Sequence, residues 1–146
     1  MSTYQLRTAR TTDAAGIANL LAQLGYPSTT DEVAERLRYW HNEPHSVVIL
    51  AASDDELLGC IAVHAAPHLE HTGRWARIES LVVDAAVRGR GVGGELVRAA
   101  EVVARGWQCR AVEVTSSRQR ADADAFYRRA GYVEVSDQSG RFWKEL

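Results

Sequence analysis

No apolar run in the 146-residue chain approaches the roughly 20 residues that a membrane-spanning helix requires. The first ten residues carry no apolar h-region, so the sequence displays no secretory signal. No long basic run appears and the formal net charge is −2. That balance argues against a nucleic-acid binder whose affinity comes from phosphate neutralisation. Cysteine is scarce: Cys60 and Cys109 stand far apart, outside any metal or redox spacing. Each lies in or beside an apolar run and reads as a core thiol, which fits a reducing, cytoplasmic setting. Repeats, linkers and low-complexity segments are missing too. What remains, at 46% hydrophobic and 25% charged residues, is the composition of one globular domain over residues 1–146. Neither membrane nor nucleic acid is expected among its partners.

What is present is a clear alternation of strand and helix patterns. Residues 4–8 alternate polar and apolar side chains and predict a first strand. Ile17, Leu20, Leu21 and Leu24 repeat at helical spacing until Gly25 and Pro27. Thr29 and Glu32 have capping-box spacing ahead of Val33, Leu37 and Trp40, a second helix. Residues 47–52 and 57–65 read as a hairpin turning at Asp54 and Asp55, followed by a long strand over 75–83. Residues 92–105 carry an apolar stripe at Val92, Leu96, Ala99, Val103 and, beyond it, Trp107. A strand over 111–115, a helix over 122–130 closed by Gly131, and two late strands at 132–135 and 141–144 complete the chain. The predicted order β-α-α-β-β-β-α-β-α-β-β is that of a mixed α/β (α+β) domain.

The chemistry-bearing stretch is Arg88, Gly89, Arg90, Gly91, Val92, Gly93 and Gly94, between an apolar run and a helical segment. A strand entering a glycine-rich loop that opens a helix suits a pyrophosphate. Glycines let the backbone approach closely, and the first helical turn offers unpaired N–H groups at the positive end of the dipole. The loop has no Lys-Ser/Thr, so it is not a Walker A loop. It follows a β-meander, and no acidic residue closes a following strand, which argues against a dinucleotide fingerprint.

Arg88-Gly89-Arg90-Gly91-Val92-Gly93 resembles the R/Q-x-x-G-x-G/A motif of the GNAT N-acetyltransferases. Leu81-Val82-Val83-Asp84 looks like that family's fourth strand, and Ala125-Phe126-Tyr127 through Gly131-Tyr132 like its late helix and tyrosine. The resemblance covers nearly the whole chain. It implies a GNAT fold: a mixed, mostly antiparallel sheet of six to seven strands flanked by about four helices. It implies acetyl-CoA as co-substrate, in a V-shaped opening between residues 77–83 and 111–115. The pyrophosphate would rest on the backbone of Arg88 to Gly94, and the pantetheine arm would pair with Leu81, Val82 and Val83 as an added strand does. Ser117 stands where many members carry an asparagine that holds this arm.

Acetylating an amine requires removal of its proton, a donor for the oxyanion, and a proton or stabilisation for the departing thiolate. On the resemblance Tyr127 is the acid, a tyrosine at this place being the group that contacts the CoA sulfur. The alternative is a core tyrosine sharing a helical face with Ala123, Phe126 and Ala130. Glu79 interrupts the apolar run of a strand expected to be covered on both faces, sharing one face with Leu81 and Val83 by alternation. It is either a base in a cavity or half of an ion pair with a residue such as Arg77. His64, His68 and His71 could bind a metal, line the acceptor pocket or assist proton removal, or could simply be separate strand-end and loop residues. No metal is assigned. With Trp75 and the 115–127 run, these histidines look most like the aminoalkylphosphonate branch, which acetylates small primary amines bearing an anionic group. Asp124 departs from that branch's histidine. Arg74, Arg77, Arg118 and Arg120 would suit such an acceptor. The expected partner is a small-molecule amine, with a homodimer as a permitted assembly. The rival reading is a silent acetyl-CoA sensor that kept the cofactor site and lost turnover.

Overall fold

The computed structural model describes residues 3–54, 56–116 and 121–146. Its contacts divide the chain into two units, residues 1–115 and 116–146. The first carries a five-stranded sheet in the order β1-β2-β3-β4-β5: β1 (Gln5–Thr8), β2 (Ser46–Ala52), β3 (Leu57–Pro67), β4 (Arg74–Val83) and β5 (Cys109–Val114). β1 to β4 run antiparallel and β5 joins β4 in parallel. Helices α1 (Ala14–Leu24), α2 (Thr30–Asn42) and α3 (Val92–Gly106) belong to this unit as well. No helix among the described residues is long and apolar enough to cross a membrane.

Local chemistry accounts for the helix limits. Gly25 ends α1 at φ 104°, and its N–H donates to the Ala22 and Leu21 carbonyls. Thr29 opens α2 with the expected reciprocal cap: Glu32 N–H donates to Thr29 Oγ1 at 3.1 Å, and Thr29 N–H donates to Glu32 Oε1 at 2.9 Å. α3 starts at Gly91, at φ 83°.

The helices cover the sheet from two sides. Ile17, Leu20, Val33 and Leu37 of α1 and α2 form one buried cluster with Val48, Leu50, Cys60, Ala62 and Val82. Alternation turns Ile61 and Val63 of β3 to the other face, where α3 packs on β2, β3, β4 and β5. Val92, Leu96 and Val97 of α3 are buried, each contributing about 1.5–3 kcal/mol relative to exposure. A Cβ on Gly59 would lie 2.9 Å from Leu96 Cδ1 and 3.3 Å from Val92 Cγ1. A bare glycine there lets the first turns of α3 sit directly on β3.

The second unit holds α4 (Ala121–Arg129) and a short 3₁₀ turn at Ser136–Gln138. Gly131 closes α4 at φ 94°, as its sequence position implies. The late strands expected at 132–135 and 141–144 are not formed, so the described sheet has five strands rather than six or seven. Alternation gives these segments strand propensity only. A ladder also needs a neighbouring strand, and Val133, Phe142 and Trp143 are instead exposed.

Candidate active site

The parallel pairing of β4 with β5 runs from Arg74 opposite Cys109 to Ile78 opposite Val114 and stops there. Beyond Ile78, β4 continues to Val83 with β3 as its only strand partner among the described residues. The backbone edge of residues 79–83 therefore faces an opening between β4 and β5. At its apex the β3–β4 register slips: Ala62 lies opposite Ser80, and Val63 opposite Ile78. Glu79 is the extra residue of a β-bulge. Alternation is broken at that point, so Glu79 does not share a face with Leu81 and Val83. Ser80 and Val82 lie opposite Ala62 and Cys60 on the α1–α2 face, and Leu81 lies opposite Ile61 on the α3 face.

Below the opening, Asp84 starts a 3₁₀ turn (Ala85–Val87), its Oδ1 accepting from Ala86 N–H at 2.8 Å. Gln23 at the end of α1 clamps the same turn. Its Nε2 donates to Asp84 Oδ2 at 3.2 Å and its Oε1 accepts from Ala85 N–H at 2.9 Å. The Ala86 N–H, the Gln23 amide and the nearby Arg88 charge together hold the Asp84 carboxyl below the usual carboxylate range. Arg88 Nε donates to Val83 O at 3.2 Å. Gly89 and Gly91 both adopt left-handed φ values, 82° and 83°. Gly91 supplies no side-chain cap, and the first intrahelical donor is Glu95 N–H, to Gly91 O. The preceding N–H groups of Val92, Gly93 and Gly94 lie at the α3 N-terminus without intrahelical acceptors. Arg90 stands exposed in the same turn. Free N–H groups at a helix start, reached through glycines, form a cradle that can hold an anion.

Side chains dominate the other half of the site. Glu79 Oε1 lies 2.7 Å from His64 Nε2 and 3.0 Å from Arg77 Nε. Arg77 also donates to Glu113 Oε1 at 3.1 Å and to Thr115 Oγ1 at 3.0 Å. The Glu79 side chain is 39% exposed, so it is not the carboxylate of a doubly covered strand that its apolar flanks suggest. The bulge swings it out of the ladder and into an ion pair. His64 meets the Trp40 ring edge-on, centroids 5.9 Å apart. It also lines a groove of about 480 Å³ with Tyr39, Trp40, Glu43, His45 and Pro67 among others. Ser46 fixes the groove's rim, donating to the Trp40 carbonyl at 2.7 Å.

The three histidines do not converge. His71 stacks on Trp75 with centroids 5.5 Å apart and His68 meets the same ring at a tilt, 4.1 Å away, while His64 turns to Glu79. No metal-competent cluster occurs among the described residues. Arg74 donates to the Trp107 carbonyl at 3.1 Å. Tyr127 lies on α4 in the second unit, where its ring meets Phe126 and Tyr132 at 5.1 and 5.8 Å. Ser117, Arg118 and Arg120 lie outside the described residues. Cys60 is buried and its thiol is pushed up to about 12 by burial; burial raises Cys109 as well, against the opposing charge of Arg74. Sequence reasoning missed Gln23, Trp40, Glu43 and Glu113. The alternation of β5 could have put Glu113 beside Arg77, but nothing local marks Gln23, which acts across 61 residues.

Residues 14–132 match the family described as "Acetyltransferase (GNAT) family". The chain is 31% identical over 139 residues to the aminoalkylphosphonate N-acetyltransferase of Salmonella typhimurium, covering 92% of this chain and 88% of that protein. It is 31% identical over 150 residues to glucosamine 6-phosphate N-acetyltransferase 1 of Oryza sativa, covering 96% and 87%. Its fold superposes with a TM-score of 0.85 on an aminoglycoside N-acetyltransferase solved in complex with CoA, at 17% identity, covering 99% of this chain and 96% of that one.

Proposed function

The chain belongs to the acetyltransferase (GNAT) family and is an acetyl-CoA-dependent N-acetyltransferase acting on amines, and from that premise we propose that it acetylates a primary amine of a small molecule by direct attack within a ternary complex. We propose also that residues 1–146 work as one catalytic domain; the family match runs across both units. One observation carries the reading: β4 loses its β5 partner at Ile78, so a backbone edge with no strand partner among the described residues leads straight to the Arg88–Gly94 cradle.

In this reading acetyl-CoA lays its amide-rich arm along Leu81, Val82 and Val83, and its pyrophosphate rests on the cradle. Ser117 is assigned to the same arm. The acetyl carbonyl then reaches the β4 bulge. The amine enters from the groove side, past His64, with Arg77 positioning Glu79. His68 and His71, both against the Trp75 ring, form the outer wall toward the acceptor. A primary amine with a pKa near 10.4 arrives as ammonium, so its first proton must leave before attack. Glu79 takes that proton, with the His64 imidazole standing between it and the groove. The nitrogen lone pair then forms the C–N bond as the C–S bond breaks. Tyr127 supplies a proton to the departing sulfur, the nitrogen's second proton passes to solvent, and a proton from solvent restores the Tyr127 phenol. A phenol near 10 facing a thiol near 8.5 makes full transfer about 2 kcal/mol uphill, small enough for a hydrogen bond that strengthens as the thiolate forms. Neither cysteine offers a ready thiolate for an acyl-enzyme, which supports direct attack.

Thiol release from acetyl-CoA, followed over a panel of aminophosphonates, amino sugars, polyamines, arylalkylamines and peptides, tests the assignment. Turnover with intersecting initial-rate lines is expected. Parallel lines would replace the ternary complex with a ping-pong route. Absence of turnover with every small amine would remove the small-molecule acceptor.

A further inference from the structure

We infer that the acceptor is a primary amine carried on an aromatic or apolar body with no anionic group. The inference rests on the small-amine reading above and names the class that the same site takes. The groove on which His64 opens is walled by Tyr39 and Trp40 and floored by alanine and proline. Its one carboxylate is Glu43, and no arginine or lysine lines it among the described residues. Glu43 is exposed at the end of α2, and its carboxylate makes no ion pair or hydrogen bond among the described residues. An unpartnered carboxylate beside two aromatic rings suits an ammonium group on an apolar frame. The charge draws the amine in, and the rings cover its body and face its cation. An anionic acceptor would need the opposite. The described arginines that the sequence offers for it are held elsewhere: Arg77 by Glu79, Glu113 and Thr115, and Arg74 by the Trp107 carbonyl. Freeing Arg77 for a phosphonate would strip Glu79 of a partner at the bulge. A phosphonate in the groove would also lie beside Glu43, a repulsion that discriminates between otherwise similar amines.

A matched pair of probes tests this. Phenethylamine and 2-aminoethylphosphonate share the aminoethyl group and differ in phenyl against phosphonate. With wild-type protein and saturating acetyl-CoA, kcat/KM for phenethylamine should exceed that for the phosphonate by about tenfold or more. Glu43→Arg, a change at an exposed position, should narrow or reverse that ratio while leaving the KM for acetyl-CoA in place. Equal use of the two probes, a preference for the phosphonate, or an unchanged ratio in Glu43→Arg would each overturn the inference. If neither probe reacts but another small amine in the panel does, the inference fails and the acetyltransferase reading stands. If no small amine reacts, the reading beneath it fails as well.

Discussion

The two halves of the proposed site are made of different material. The donor half, from residue 81 to 94, is backbone: an unpaired strand edge, two left-handed glycines and an uncapped helix start. The acceptor half is side chain: Glu79, His64, Arg77, Trp40 and Glu43, drawn from three elements and a turn. A backbone cradle depends on glycines at fixed spacing, so it leaves a motif. A side-chain pocket depends on which residues a fold brings together, so it leaves almost none. The difference also says where each half should be fragile: the donor half to changes that restrict φ, the acceptor half to changes that remove a functional group.

The largest effect should come from the acceptor half. Glu79→Gln keeps the shape and removes the charge and the basicity. It should lower kcat by about 10²-fold, within the range for general-base removal, with little change in the stabilisation given by acetyl-CoA. The pH–rate profile should lose its ascending limb. An unaltered profile would reassign proton removal. Tyr127→Phe should likewise lower kcat and spare acetyl-CoA binding; an unchanged kcat would end its role as acid.

A smaller effect is expected on the donor side. Gly91→Val puts a β-branched residue at φ 83°, where non-glycine residues incur about 1–2 kcal/mol. Acetyl-CoA affinity, read by thermal shift, should fall by about tenfold, the equivalent of 1.4 kcal/mol. Arg90→Ala, which leaves the backbone alone, should cost less. If Arg90→Ala were the more damaging of the two, the cradle would be a side-chain site after all.

The smallest effect concerns the scaffold under the donor half. Asp84 has its carboxyl held below the ordinary value, chiefly by the Ala86 N–H, and Asp13 has its own lowered chiefly by Arg7. A carboxylate with a depressed folded-state pKa contributes stability above its unfolded value. That contribution is lost as pH falls through the folded one. Melting temperature should therefore decline as pH drops below about 4. The decline should be shallower in Asp84→Asn and Asp13→Asn. Parallel acid limbs in wild type and variants would mean that neither carboxylate sets this slope.

The same division governs what could be read in advance. The helices, the first four strands and the Gly25, Gly131 and Thr29–Glu32 boundaries follow from spacing and capping chemistry, which are local. So does the cradle. The bulge at Glu79 does not: its apolar flanks promise a regular, doubly covered strand, and only the β3–β4 register reveals the slip. The histidines illustrate the same limit. Three imidazoles within eight positions look like one cluster, yet strand direction sends His64 to Glu79 and the loop folds His68 and His71 onto Trp75. The late strands fail for a related reason, since alternation says nothing about whether a neighbouring edge is there to pair with.

The bulge has one more consequence. A strand has a period of two residues, and Glu79 is a one-residue slip in its phase. Ile78 and Val82, four apart, would point the same way in a regular strand. Here Ile78 lies opposite Val63 and Val82 opposite Cys60, so each fills the core of a different layer. Holding Glu79 in the ladder as an ordinary strand residue would turn one of those two cores outward. Removing position 79 altogether would not: Ile78 opposite Val63 and Ser80 opposite Ala62 would become consecutive pairs, with both cores still filled. The cores therefore demand the slip as long as the residue is there, but the sheet does not demand the residue. Deleting it would test the chemistry of the apex with both layers left in place.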